Sequence, residues 1–293
     1  MAAVEIQRCA DWLFIRIDLY QIALLSFATT NQTPINDDSA NPAICCKLWS
    51  DAHTRLQSAG CPISLSLVLM RALWTIVILL LGPIAGAVSG RKLRSVPSRK
   101  LIYVSNAINL VVLAAITAAV DFTHGGRAFD LLRGPVALPT LVIWSTDIAA
   151  LCIAVVAVTL LFRVLLRRPP KPSIIALLPR YWEERPAFVV LCVLIAAVEE
   201  FIYRGFVLSV VREWLHSGTL AVALVSLSFA LMHGLQDWLA IVGAFVQGIV
   251  LSIPVLVIHS LVPSIAGHFV VDVCTGLFLL AVLQRLQLLP NET

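Results

Sequence analysis

Charge is scarce in this sequence: only 13% of its 293 residues are Asp, Glu, Lys or Arg, while 59% are hydrophobic and the mean hydropathy is +0.92. A water-soluble domain carries roughly 25% charged residues, so composition excludes that class and leaves a polytopic membrane protein. The net charge of +4 is small and carried by loops; it bears on membrane topology and offers no surface for nucleic acid. Other absences narrow the chemistry. There is no H-E-x-x-H and no G-x-S-x-G, which removes two familiar hydrolase layouts. The N-terminus lacks a basic region, an apolar region and a small-residue cleavage site in that order, so no signal peptide is expected. No internal repeat is visible. Of seven cysteines, Cys152, Cys192 and Cys274 lie in apolar runs and read as small core hydrophobes, and Cys45, Cys46 and Cys61 form no metal-type spacing.

What the chain does contain is a series of long apolar runs. Residues 1–61 form an N-terminal segment in which Trp12–Ala28, interrupted by Arg16 and Asp18, suits an amphipathic interfacial helix, and polar Thr29–Pro42 suits a disordered loop. Met70 precedes a complete membrane segment and is a candidate start. From Pro62 the pattern is regular. Spans are expected at Ile63–Val88, Leu101–Val120 and Val136–Leu161, together the N-terminal transmembrane helices of residues 62–186. Four more follow at Pro186–Val211, Leu220–Gly234, Trp238–Ile258 and Pro263–Leu283, in a region taken as 187–284; the second of these is short for a bilayer. The fold expected is an all-α transmembrane helix bundle of seven or eight spans. Basic residues cluster after the first span (Arg91, Lys92, Arg94, Arg99, Lys100) and after the third (Arg163, Arg167, Arg168, Lys171). If every span crosses, both clusters lie on one side, which the positive-inside rule makes cytoplasmic.

The centre of the fourth span carries Glu199-Glu200-Phe201-Ile202-Tyr203-Arg204, flanked by the uncharged runs Phe188–Val198 and Gly205–Val211. Each charge at a helix centre costs about 2.5–3.5 kcal/mol to insert, so such groups face a bundle interior and mark function. Glu200 and Arg204 are four apart and stack on one face, where the base neutralises the acid. Glu199 lies about 100° round the helix and has no partner on it. Two other spans carry polar groups at the same spacing, Phe229 and His233, then His268 and Asp272. Three helices can thus bring Glu199, His233, His268 and Asp272 to one cavity, with Tyr203 on the Glu199 face. Asp147, alone in the third span, is a support or pathway candidate. Asp237, beside Trp238, reads as a helix cap, and His259 as interfacial.

These residues resemble the three motifs of the CPBP family: E-E-x-x-x-R at Glu199, Glu200 and Arg204, F-x-x-x-H at Phe229 and His233, and H-x-x-x-D at His268 and Asp272. The family comprises type II CAAX prenyl endopeptidases and bacteriocin-processing or self-immunity proteases, and the resemblance covers about Ala187 to Leu283. Gly205 after the arginine also fits the pattern. The family's last motif more commonly ends in Asn, where this chain has Asp272. The resemblance implies an intramembrane endopeptidase acting on a peptide or protein substrate in the bilayer, with Glu199 and His233 activating water. His268, oriented by Asp272, would then bind a metal or donate to the oxyanion. It implies Glu200–Arg204 as a structural brace. His233 and His268 with Glu199 or Asp272 match the ligand sets of catalytic zinc sites, and the same residues are equally compatible with a metal-free route. Two non-enzymatic alternatives stand beside this: a proton- or ion-coupled transporter, for which the chain lacks repeated halves, and a catalytically silent membrane adaptor. The basic loops point to the plasma membrane of a prokaryote.

Overall fold

The computed structural model describes residues 62–92, 99–175, 177–233 and 237–286. The N-terminal segment 1–61, with Trp12–Ala28, Thr29–Pro42 and Cys45, Cys46 and Cys61, lies outside the described residues, as does Arg94.

Apolar runs this long in lipid must satisfy their backbone groups internally, and the described residues do so as helices. They are α1 (Pro62–Lys92), α2 (Arg99–Thr123), the short α3 (Arg127–Arg133), α4 (Leu138–Leu165) and one turn, α5 (Pro172–Ile175). A 3-10 turn (Trp182–Glu184) leads into α6 (Arg185–Glu200), a π-helical stretch (Phe201–Val207) and α7 (Leu208–Leu215). The chain ends in α8 (Gly218–Met232), α9 (Trp238–Val257) and α10 (Val262–Arg285). Sequence chemistry sets the starts: proline sits in the first turn of α4, α6 and α10, where its missing N–H costs nothing. Ser217 and Asp237 cap α8 and α9 by accepting from the N–H of Leu220 and Ala240.

Six stretches are long and apolar enough to cross a membrane, and α8, at 15 residues, is the shorter seventh. The protein is therefore an integral, multi-pass helical bundle. Burial identifies its hub. Within Trp182–Leu215, 44% of the apolar window is buried, against 11–33% for the other five. Most of the other helices pack against this span, whereas α4 packs on α9 and α10, and outward Leu, Val and Ile side chains such as Leu73, Ile108, Val142 and Val190 are left for lipid. Two glycines permit close helix approaches around the site. A Cβ on Gly205 would lie 2.9 Å from the Ala128 Cβ, and one on Gly248 would lie 2.8 Å from the Ser226 Cβ. The first seats α3 against the π-helical stretch, and the second lets α9 press on α8.

Side-chain ties fix which helix ends share a side. Arg99 pairs with Glu184 at 3.3 Å, the Tyr103 hydroxyl donates to the Leu177 carbonyl at 2.9 Å, and Arg163 pairs with Asp237. At the opposite ends, Leu261 N–H donates to the Leu131 carbonyl at 2.9 Å, and Glu213 takes Arg71 at 2.8 Å and also Arg127.

Arg163–Asp237 is bidentate, at 2.8 and 3.0 Å, and its guanidinium is buried. Burial alone would raise the Asp237 carboxyl, but hydrogen bonds from Arg163 and the Ala240 N–H hold it below its ordinary 3.8. A depressed carboxyl contributes stability above its unfolded value and loses it as pH falls through the folded value. Asp237→Ala, which removes the cap and leaves a buried guanidinium unpaired, is expected to cost about 1–3 kcal/mol at neutral pH. Thermal unfolding in detergent should show a gap from wild type that is constant down to about pH 4 and shrinks below it. A gap that stays unchanged in acid would contradict the ion-pair account.

Candidate active site

The site is built where the hub helix departs from α geometry. Glu199 and Glu200 are the last residues of α6, and the next seven residues take the wider π turn, a distortion often found at functional sites. It accompanies an unusual density of buried groups: Phe201 to Val207 are all buried, Arg204 among them at 1% exposure.

Glu200 and Arg204 pair as their spacing predicts, at 2.8 Å with both side chains fully enclosed. The arginine also reaches the Gly248 carbonyl at 3.4 Å, and its guanidinium lies over the Phe229 ring, 4.3 Å from the centroid. The same Glu200 oxygen that takes Arg204 also accepts a 2.8 Å hydrogen bond from Nδ1 of His268. Because that oxygen accepts, the proton is on Nδ1, and the ring is turned so that Nε2 faces the other acids. Nε2 stands 3.9 Å from the Glu199 Oε2 and 3.7 Å from the Asp272 Oδ2. The hydrogen bond to Nδ1 of His268 thus comes from Glu200, while Asp272, to which the resemblance gives the orienting task, stands 3.7 Å from Nε2. A brace already satisfied by an i,i+4 arginine gives no sequence signal that it also holds a histidine 68 residues away.

His233 closes α8, and its Nδ1 donates to the Phe229 carbonyl at 2.9 Å. This leaves Nε2 free to accept or to bind. The Phe229 ring lies between the two histidines, 4.9 Å from the His233 ring and 5.9 Å, edge to face, from that of His268. Tyr203 stacks edge to face on Phe229 and donates its hydroxyl to the Met232 sulfur at 3.0 Å, so it packs the wall of the site. The Glu199 Oε2 and the Asp272 Oδ2 are buried and have no hydrogen-bond partner among the described residues. Their side chains keep 18% and 27% exposure, the most open of the four acid and histidine side chains around His268.

The zinc alternative does not find a ligand set. Among the described residues no three His, Cys, Asp or Glu side chains are grouped to hold a metal ion; the Nδ1 bonds of both histidines leave each Nε2 available, as they are in histidines that do ligate metals. The remaining candidates fall elsewhere. Asp147 is exposed on α4, Asp237 caps α9, and His259 lies in the turn between α9 and α10. The buried ion pair of Arg163 with Asp237 was missed, because Arg163 reads in sequence as one more loop charge.

No curated protein and no solved structure matches the chain. Residues 181–274 match the family model described as Type II CAAX prenyl endopeptidase Rce1-like. The segment that carries Glu199, Glu200, Arg204, His233, His268 and Asp272 is thus similar to an Rce1-like domain, which is consistent with a CPBP family protease.

Proposed function

We propose that the chain is an intramembrane endopeptidase that hydrolyses a peptide bond with one water, using Glu199, His233, His268 and Asp272. The observation that supports this reading is the convergence of three polar atoms, with Glu199 Oε2 and Asp272 Oδ2 standing 3.9 and 3.7 Å from His268 Nε2. Two of them are buried without a partner among the described residues. Separations of this size suit a small polar molecule held between the groups by ordinary hydrogen bonds of about 2.7–3.2 Å.

In the reaction, the Glu199 carboxylate takes a proton from the water and the oxygen adds to the scissile carbonyl carbon. The carbonyl oxygen becomes an oxyanion, which needs a donor fixed in advance. His268 fills that role as an imidazolium among the carboxylates of Glu199, Glu200 and Asp272: Glu200 grips Nδ1–H, and the second proton, on Nε2, is left to donate. His233 Nε2 holds the water on its other side. When the tetrahedral intermediate collapses, the C–N bond breaks and the proton on Glu199 passes to the leaving amine. No step is routed through a metal.

Comparative proteomics of membrane-associated peptides, wild type against Glu199→Gln, tests the assignment. Peptide ends that disappear in the variant identify the substrate; identical peptide ends in both strains would refute proteolysis at this site. With that substrate, Asp272→Asn separates two roles. If Asp272 only shapes the hydrogen-bonding around Nε2, the amide keeps activity within about tenfold, and a chelator changes nothing. A larger loss rescued by added zinc would instead make Asp272 a metal ligand.

A further inference from the structure

A cavity of about 620 Å³ lies between α3, α7 and the α9–α10 turn, and meets the acid–histidine cluster through Arg204. Its position is set by where the helices stop: α7 ends at Leu215, α9 at Val257, and α10 begins at Val262. This is the boundary between hydrocarbon and water, and Trp214, 45% exposed, stands there as an interfacial aromatic does. The walls are of two kinds. Leu131, Leu208, Val255 and Leu256 are apolar, whereas Arg127, Arg212, His216 and His259 bring cationic or protonatable groups.

The charges decide what such a cavity accepts. Glu213 is taken by Arg71 at 2.8 Å and by Arg127. Arg204 forms part of the wall while serving Glu200, and its Nε has no hydrogen-bond partner among the described residues. Arg212 makes no ion pair among those residues. With Asp130 also on the wall, three guanidiniums (Arg127, Arg204 and Arg212) stand against two carboxylates, and two imidazoles add further hydrogen-bonding groups. Guanidinium is the group whose fork of N–H donors matches phosphate oxygens in pairs.

Backbone conformation points to the same place. His216 and His259 take positive φ, +49° and +52°, in two turns separate in the chain. This left-handed conformation is the ordinary province of glycine, and non-glycine residues in it cluster at ligand clamps. Both histidines line this one cavity.

We propose that the cavity is a phosphate-binding site at the level of the lipid headgroups, taking a phosphoester anion through Arg212, Arg127 and the two histidines. The apolar walls fit the glycerol and first methylenes of an anionic glycerophospholipid, which gives the site a use as a lipid sensor or anchor. The proposal stands independently of the protease reading.

The test uses the full chain purified in detergent, with native mass spectrometry of bound lipid. Wild type is expected to retain phosphatidylglycerol about tenfold over phosphatidylcholine of the same acyl chains. Arg212→Ala should bring the two to parity, and it removes a side chain that is exposed and unpaired. The double variant His216→Asn, His259→Asn should reduce the preference severalfold, because asparagine tolerates the left-handed backbone while lacking the imidazole. Sodium phosphate without lipid supplies the second arm. If it raises the melting temperature of wild type but not of Arg212→Ala, while both lipids are retained equally, the ligand is a free phosphate. Equal lipid retention with no Arg212-dependent response to phosphate overturns the site, as does a lipid preference that survives both variants.

Discussion

Glu199→Gln is expected to lower peptide cleavage by about 10²–10⁴-fold while leaving the fold intact. The amide keeps the shape of the carboxylate and removes the only property the reaction asks of it, the capacity to take a proton from water. Its effect on folding is expected to be small or favourable. Around His268 stand three carboxylates, Glu199, Glu200 and Asp272, against one arginine, Arg204, and the histidine itself. Glu200 is committed to Arg204, and Glu199 has no hydrogen bond to its Oε2 among the described residues. Neutralising Glu199 therefore removes a desolvated charge without orphaning a partner. If Glu199, His233 and His268 act on one water, the double variant Glu199→Gln, His268→Ala should be scarcely slower than either single one, since groups that work as a unit lose their effect together. The measurements are turnover of an identified substrate by purified protein and the melting temperature of each variant. Wild-type turnover by a folded Glu199→Gln protein would end the mechanism.

How much of this was open to view in the sequence follows from which interactions are local. The spans are visible because hydrocarbon demands long apolar runs, and the short α8 is visible because Gly218–Met232 stops before a bilayer is crossed. The Glu200–Arg204 pair is visible because one helix supplies both groups at a fixed spacing. Glu199, His233, His268 and Asp272 stand out as costly groups inside spans. What spacing along one helix does not encode is which atom of one helix meets which atom of another. That Glu200 rather than Asp272 grips His268 Nδ1, that the Gly248 carbonyl receives Arg204, and that Phe229 lies between two histidines depend on the rotation of α8, α9 and α10 against the hub. The π turn at Phe201–Val207 contributes to that rotation and has no simple signature in the residues FIYRGFV. Arg163 illustrates the same limit, since its partner Asp237 is 74 residues away and belongs by sequence to a cap.

Arg204→Ala should be the most damaging single change to the fold, and Glu200→Gln the informative one for function. Arg204 is among the largest fully buried side chains, and removing it strips Glu200, 0% exposed, of its 2.8 Å cation. Breaking a buried pair from one side costs about 3–5 kcal/mol, more than the pair itself contributes, because the surviving charge stays desolvated. The variant also loses the Gly248 carbonyl contact and the guanidinium over Phe229, and so loosens α8 and α9 together. Arg204→Lys should recover only part of this, as an ammonium has neither the fork nor the flat face. In Glu200→Gln the amide oxygen still accepts from both Arg204 and His268 Nδ1, so folding should be affected less. Activity, however, should fall more than about tenfold, as it does when the carboxylate behind a catalytic histidine is neutralised. A positioning role predicts a further sign that packing loss does not: the pH dependence of kcat/KM should move in Glu200→Gln and stay in place in Ser226→Ala, a neighbouring buried change. Melting temperatures in detergent rank the three variants for stability, and the pH–rate profile isolates Glu200. Were Arg204→Ala to melt with wild type, the brace would be refuted; were Glu200→Gln to keep both the wild-type rate and its pH profile, Glu200 would hold His268 without bearing on the reaction.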